Sequence, residues 1–134
     1  MLLALHHVAI ICSNYERSKH FYTDVLGLRM IGENYRPDRE SWKLDMALPD
    51  GTQIELFSFP DAPRRASRPE AQGLRHLAFA TADVEAAKAH LEARDVSVEA
   101  VRIDPYTGRK FTFFPDPDGL PLELYEVNQT ASWS

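Results

Sequence analysis

Cysteine is almost absent from this sequence, because Cys12 is the only one among 134 residues. An internal disulfide is therefore excluded, and so is a zinc site built from several thiolates. A metal held by the residues of this chain must take its ligands mainly from histidine and carboxylate side chains.

Long apolar runs and an excess of basic residues are also missing. No stretch reaches the roughly 18 consecutive apolar residues of a membrane span, and the start, MLLALHHVAII, lacks the basic flank and cleavage site of a secretion signal. The net charge is −5. Nucleic-acid binders usually carry a concentrated basic face. We therefore expect a soluble cytoplasmic protein with no nucleic-acid and no membrane partner.

The chain contains an internal repeat. At an offset of 69 residues, HVAII at 7–11 aligns with HLAFA at 76–80, and NYERSK at 14–19 aligns with DVEAAK at 83–88. At an offset of 68, IELF at 54–57 aligns with LELY at 122–125. Two copies offset by 68 or 69 residues indicate a duplicated module with pseudo-twofold symmetry, since solenoids use shorter and more numerous repeats.

Each half has the pattern of a strand, a helix and three further strands. Asn14 and Asp83 stand at N-cap positions, and helices are predicted at 14–26 and 83–94. Apolar segments and turn residues predict strands at 5–11, 28–34, 42–48, 52–58, 74–80, 98–103, 110–114 and 120–126. We expect an α+β fold of two tandem βαβββ modules, residues 1–60 and 74–127, joined by the linker 61–73 in a single domain, 1–134. The tail VNQTASWS is predicted to be disordered or exchanged onto a neighbouring chain.

Two histidines and two glutamates occupy equivalent positions of the repeat, and they are His7, Glu55, His76 and Glu123. Side chains alternate along a strand, so His6 is predicted to point away from His7. The two glutamates lie between apolar neighbours, where a free carboxylate is costly and metal coordination offsets the cost. Two imidazoles and two carboxylates suit one divalent ion such as zinc, nickel, cobalt, manganese or iron(II).

A strand histidine is more often a hydrogen-bonded core or edge residue, and a strand glutamate more often faces solvent. The matched positions in both halves are what favour the metal site over that simpler interpretation. His20 and His90, which lie on predicted helices among charged residues, are interpreted as solvent-facing.

Several motifs resemble those of the vicinal oxygen chelate superfamily, which includes glyoxalase I, bleomycin-resistance proteins and extradiol dioxygenases. The motifs are HHVAIICSNYERSKHFYTDVLGL, IELF, GLRHLAF and FTFFPDPDGLPLELYE. Segments such as SWK, ELFSFP and DPYTGRKFTFF are similar to those of glyoxalase I and of bacterial YaeR-like glyoxalase-I-like metalloproteins. The resemblance covers essentially the whole chain and implies that the paired modules curve into an incomplete barrel around a metal.

The resemblance also implies an activity. In glyoxalase I a histidine and a glutamate from each of two modules bind the metal, and these positions correspond to His7, Glu55, His76 and Glu123. The implied reaction is that of a metal-dependent lyase or isomerase acting on a small carbonyl or hemithioacetal substrate through an enediolate. Glu123 is predicted to be the base that moves the proton, with Glu55 as the alternative. Phe57, Phe59, Phe111, Phe113 and Tyr125 would line an apolar pocket.

Two positions depart from the pattern of glutathione-dependent glyoxalases. These enzymes carry an arginine four residues after the first histidine ligand and an asparagine four residues after the first glutamate, where this chain has Ile11 and Phe59. The departures weaken the case for lactoylglutathione and leave the metal chemistry untouched. The arginines of the RRASR segment, with Arg75, Arg109 and Lys110, could supply a different clamp for an anionic substrate.

Other functions stay open from the sequence alone. An extradiol dioxygenase or a thiol transferase of the same superfamily needs only three ligands, and a non-catalytic small-molecule binding protein usually has none. We expect a homodimer with a small-molecule substrate. The sequence leaves open whether the four ligands come from one chain or from two.

Overall fold

The computed structural model describes residues 1–128. It divides into two compact units, Met1–Arg64 (unit 1) and Arg65–Ser134 (unit 2). The prediction for the tail 127–134 falls almost wholly outside the described residues. In residues 1–128 no helix is long and apolar enough to cross a membrane.

Unit 1 is a βαβββ module with one mixed sheet. Its elements β1, α1, β2, β3 and β4 span His7–Cys12, Tyr15–His20, Arg29–Arg36, Ser41–Ala47 and Gln53–Ser58. The strand order is β1-β4-β3-β2, and β1 runs parallel to β4 while the other neighbours are antiparallel. The predicted N-cap is confirmed, because the Asn14 side chain accepts a hydrogen bond from the Arg17 backbone N–H.

Unit 2 repeats this arrangement. Its elements β5, α2, β6, β7 and β8 span Leu77–Thr81, Val84–Glu92, Arg102–Ile103, Lys110–Pro115 and Pro121–Glu126. The strand order is β5-β8-β7-β6, again with one parallel pair, β5 with β8. Asp83 caps α2 by accepting from the Ala86 N–H. The two βαβββ modules predicted from the repeat are therefore confirmed, and the sheet of each module is open.

Two elements differ from the predictions. The first helix is α-helical only to His20 and continues as a π-helical segment, Phe21–Val25. The strand predicted at 98–103 is reduced to the two residues Arg102 and Ile103. Before this strand, the Glu99 N–H still donates to the Phe113 carbonyl of β7, but the Glu99 carbonyl accepts from the side chains of Thr112 and Lys88.

The alternation along each central strand separates a core face from a second face. Ile54 and Leu56 of β4 are buried, as are Leu122 and Leu124 of β8. In unit 2 the helix α2 packs on β7 and β8, and in unit 1 α1 contacts β4. The intervening residues, Glu55 included, point to the face opposite these helices. The fold thus places the predicted ligands on the one face of each sheet that its helix does not cover.

Tyr15 fixes α1 against the sheet of unit 1. Its ring stacks on Trp42 of β3 with centroids 5.1 Å apart, and its hydroxyl donates to the carboxylate of Glu33 on β2. Lys19 also donates to that carboxylate, at 2.8 Å. These hydrogen bonds hold the pKa of the Glu33 carboxyl below its ordinary value. The helix is therefore tied to two strands by both packing and a charged contact.

Candidate functional site

A histidine and a glutamate lie together in unit 1. The ring nitrogen Nε2 of His7 is 3.6 Å from Oε2 of Glu55. Ala9 pairs with Glu55 in the parallel register of β1 and β4, and His7 lies two residues earlier on the same face as Ala9. The small Ala9 side chain leaves the space between the two functional groups open. The Glu55 side chain is 16% exposed and the His7 side chain 42%.

The same pair recurs in unit 2. Nε2 of His76 is 3.2 Å from Oε1 of Glu123. Here Ala78 is the register partner of Glu123, and His76 again precedes that alanine by two residues. The Glu123 side chain is 12% exposed and the His76 side chain 30%. The repeat therefore reproduces not only the residue types but also their register and their separation.

The surroundings of the two glutamates differ. Across the antiparallel ladder Glu55 faces Asp45, whose carboxylate is bound by Lys43 at 3.0 and 3.2 Å. The corresponding partner of Glu123 is Phe113. Unit 1 thus surrounds its glutamate with charged groups, and unit 2 places its glutamate beside an aromatic ring.

The aromatic surroundings in unit 2 affect both members of the pair. The ring of Phe113 meets His76 edge-to-face with centroids 5.0 Å apart. Burial raises the pKa of the Glu123 carboxyl above its ordinary value, although His76 and Arg102 act in the opposite direction. Glu123 therefore holds a proton more readily than an ordinary carboxyl group.

His6 contacts the pair in unit 1, contrary to the prediction that it points away. Its Nδ1 is 2.9 Å from Nδ1 of His7, and the two rings meet edge-to-face. The prediction was wrong because β1 begins at His7, so the alternation of a strand does not constrain the residue before it. One of the two nitrogens must donate, and the contact leaves Nε2 of His7 facing Glu55.

Unit 2 has two cavities on the side of its sheet that carries the pair. One, of about 430 Å³, is lined by residues that include Ala78, Thr107, Arg109 and Tyr125. The other, of about 480 Å³, contains both His76 and Glu123. Ala78, which lines the first cavity, is the register partner of Glu123, which lines the second.

A hydrogen-bonded group fixes the loop beside the first cavity. The Tyr125 hydroxyl donates to Oδ2 of Asp104 at 2.9 Å and is also bonded to the Thr107 hydroxyl. Hydrogen bonds from the Tyr106 backbone N–H and from Tyr125 lower the pKa of the Asp104 carboxyl. The sequence identifies Tyr125 as a candidate pocket residue. It does not identify Asp104 and Thr107, because these two meet Tyr125 through a contact between a loop and a strand some 20 positions away.

Three of the five predicted aromatic residues line the two cavities of unit 2, Tyr125 the first of them. Phe111 and Phe113 line the larger cavity. In unit 1, Phe57 and Phe59 stack on each other with centroids 6.0 Å apart, and the Arg36 guanidinium lies over both rings. The contact with Arg36 therefore explains how the rings of Phe57 and Phe59 pack.

The two His–Glu pairs belong to different units of the chain. Among residues 1–128, no three His, Cys, Asp or Glu side chains are grouped closely enough to form a metal site. The structure thus brings His7 to Glu55 and His76 to Glu123. The predicted set of four ligands stays a prediction.

Comparison with known proteins gives consistent matches. The chain is 59% identical over 125 residues to YaeR, an uncharacterized protein of Escherichia coli (strain K12), covering 93% of this chain and 97% of that protein. It is 31% identical to a 2-epi-5-epi-valiolone epimerase from Actinomyces sp, over 93% of this chain and 80% of the epimerase. The structure of a glyoxalase family protein from Enterococcus faecalis matches with a TM-score of 0.86 at 47% identity, covering 92% and 97% of the two chains.

A family model covers nearly all of the described chain. It matches residues 4–124, which include both modules and both His–Glu pairs, and its description is Glyoxalase/Bleomycin resistance protein/Dioxygenase superfamily. Together with the duplicated βαβββ module, this match shows that the chain belongs to the glyoxalase/bleomycin resistance protein/dioxygenase superfamily.

Proposed function

We propose that this protein is a metal-dependent lyase or isomerase that moves a proton between neighbouring carbon atoms of a small carbonyl or hemithioacetal substrate. One divalent metal ion is held by His7, Glu55, His76 and Glu123. The observation that supports this proposal best is the repetition of the His–Glu pair at the same register in both sheets. Both pairs also lie on the sheet face opposite the buried residues, where they do not belong to the apolar core.

The donor atoms fit a divalent ion. Bonds of about 2.1 Å to an imidazole nitrogen and a carboxylate oxygen, at 90–110° to each other, place these atoms roughly 3.0–3.4 Å apart. The separations in the two pairs, 3.6 and 3.2 Å, are close to that range. The 3.6 Å separation between His7 and Glu55 is too long for a hydrogen bond, and a metal ion between the two atoms would join them by shorter bonds.

Glu123 is the proposed proton carrier. A bound divalent ion would supply Lewis-acid stabilisation to the substrate oxygen that becomes negative when the neighbouring carbon loses its proton. The Glu123 carboxylate lies across the ladder from Phe113 and next to His76, where it can accept that proton. Glu55, whose neighbour Asp45 is paired with Lys43, is assigned the role of a ligand.

The comparisons support the class of reaction. The superfamily includes glyoxalases, and the relative from Actinomyces sp is named as an epimerase. Isomerisation and epimerisation next to a carbonyl both remove a proton from carbon and return one, and both need an acid–base group held beside the substrate. A carboxylate such as Glu123 meets this requirement.

We also infer that the protein is a homodimer and that each site takes one His–Glu pair from each copy. Each unit holds half of the proposed ligands, as one His–Glu pair. In addition, the apolar residues before β1 are exposed, Met1, Leu2 and Leu3 almost fully. Apolar side chains exposed side by side are typical of a surface that another chain covers.

His6 is proposed to orient His7 through the contact between their Nδ1 atoms. An outer partner of this kind fixes the ring and tautomer of a metal ligand, and its loss typically costs 10–100-fold in metal affinity. The His6→Ala variant is therefore expected to bind Co²⁺ roughly 10–100-fold more weakly than the wild type, as measured by isothermal titration calorimetry. His20→Ala, which removes an exposed histidine bound to Asp24, is the matched control. Equal affinities of the His6→Ala variant and the control would contradict this role.

The test of the proposed function is substrate proton exchange in D₂O, followed by NMR. Metal-free protein is reconstituted in turn with nickel, cobalt, zinc and manganese and mixed with α-hydroxycarbonyl compounds or with the hemithioacetal of methylglyoxal and glutathione. We expect metal-dependent loss of the carbon-bound proton signal and, for a good substrate, isomerisation. The absence of exchange with every metal and every compound would count against the proposal.

A further inference from the structure

The larger cavity of unit 2 is lined by more positive than negative side chains. Its arginines are Arg65, Arg68, Arg75 and Arg102, and its carboxylates are those of Glu70, Glu99 and Glu123. The whole chain, in contrast, has a net charge of −5. A local excess of positive charge on an acidic protein concentrates anions at that place.

Two of these arginines have no carboxylate partner among the described residues. Arg65 donates from Nε to the hydroxyl of Ser67 at 2.6 Å, which leaves the two terminal nitrogens of its guanidinium for other acceptors. Arg68 has no hydrogen bond or ion pair in the part of the chain that the structure describes. Arg75, in contrast, is paired with Glu70 at 2.7 Å. Arg65 and Arg68 are therefore the arginines with donors available.

Arg102 also lines this cavity, and it contacts the aromatic rings next to the His–Glu pair. Glu99 accepts from its Nε and Nη2 at 3.0 and 2.6 Å, and the guanidinium lies over the rings of Phe111 and Phe113, 4.8 and 5.5 Å from their centroids. Phe113 in turn packs against His76. The stacked arginine is held in one place, in the cavity that Glu123 also lines.

We propose that the cavity binds the oxyanion of a substrate, a carboxylate or a phosphate, through Arg65 and Arg68, with the reacting carbon beside His76 and Glu123, which line the same cavity. The inference rests on the proposed function for the reacting end and narrows its substrate to a small anionic carbonyl compound. A volume of about 480 Å³ is sufficient for a small metabolite of this kind. Guanidinium groups suit the purpose because they bind carboxylate and phosphate oxygens in pairs.

The test uses metal-free full-length protein and two probes, inorganic phosphate and acetate, measured by isothermal titration calorimetry. We expect saturable binding of at least one probe, about tenfold weaker for each arginine removed in Arg68→Gln and Arg65→Gln/Arg68→Gln. Arg94→Gln, which replaces an arginine outside the cavity in the same unit, is expected to bind like the wild type. Tighter binding of phosphate indicates a phosphorylated substrate, and tighter binding of acetate indicates a carboxylate.

Two outcomes would overturn the inference: no saturable binding of either probe by the wild type, or equal binding by the wild type and Arg68→Gln. We expect the single variant to fold like the wild type, because Arg68 is exposed and makes no hydrogen bond or ion pair among the described residues. Since no metal and no turnover are involved, failure here leaves the proton-exchange experiment unaffected. Equally, a failure of the proton-exchange experiment leaves the oxyanion site intact.

Discussion

The Glu123→Gln variant is expected to lose turnover by about 10²–10⁴-fold at saturating metal, which is the usual contribution of a positioned general base. Glutamine keeps the shape of the side chain and removes the ability to accept the proton. The fold is expected to be unchanged, because the residues that build the core next to it, Leu122 and Leu124, are untouched and the side chain points to the other face. The measurement is the rate of proton exchange or isomerisation, with circular dichroism as the check on folding.

Glu55→Gln is the informative companion variant. It changes the equivalent residue of unit 1, which faces Asp45 and Lys43 instead of an aromatic ring. Glu55→Gln is expected to weaken metal binding and to recover most of the turnover when metal is added in excess. Glu85→Gln, an exposed position in the first turn of α2, controls for a general charge effect. Greater loss in Glu55→Gln than in Glu123→Gln, at saturating metal, would reverse the assignment of base and ligand.

Mixing two inactive variants is expected to restore activity. One variant lacks the unit 1 pair, His7→Ala/Glu55→Ala, and the other lacks the unit 2 pair, His76→Ala/Glu123→Ala. If each site uses unit 1 of one copy and unit 2 of the other, a mixed dimer has one intact site and one site without ligands. Random pairing of equal amounts then gives about a quarter of the wild-type activity.

The mixing experiment is done by unfolding and refolding the two variants together, and each variant refolded alone is the control. The measured quantity is turnover per milligram of protein, with the dimer confirmed by light scattering. Mixtures as inactive as the separate variants, although mixed dimers have formed, would show that each chain supplies all four ligands itself.

The repeat made much of this structure predictable. Strands β4 and β8 alternate apolar and polar residues, so the sequence placed Glu55 and Glu123 opposite the buried residues without any knowledge of the fold. The duplication then showed which histidine is the candidate ligand, because the repeat aligns His7 with His76 and leaves His6 without an equivalent histidine. Local pattern and repeat were sufficient for the modules and for each His–Glu pair.

Other features depend on contacts that no local pattern encodes. Just before the short strand β6, the Glu99 carbonyl accepts from the side chain of Thr112 on β7. The position of Arg102 over Phe111 and Phe113 depends on the pairing of β6 with β7. Judged by residue type and spacing alone, Thr112, Arg102 and Glu99 are ordinary strand residues. Their roles follow only from the tertiary arrangement.

The measurement that tests the central claim most directly is the stoichiometry of Co²⁺ binding to metal-free protein, by isothermal titration calorimetry, in the wild type and in His7→Ala and His76→Ala. We predict one Co²⁺ per chain in the wild type. In each variant the affinity should fall by more than the roughly 10–100-fold that the loss of an outer partner costs. Unchanged Co²⁺ affinity in either variant, or no Co²⁺ binding by the wild type, would contradict a metal held by both His–Glu pairs.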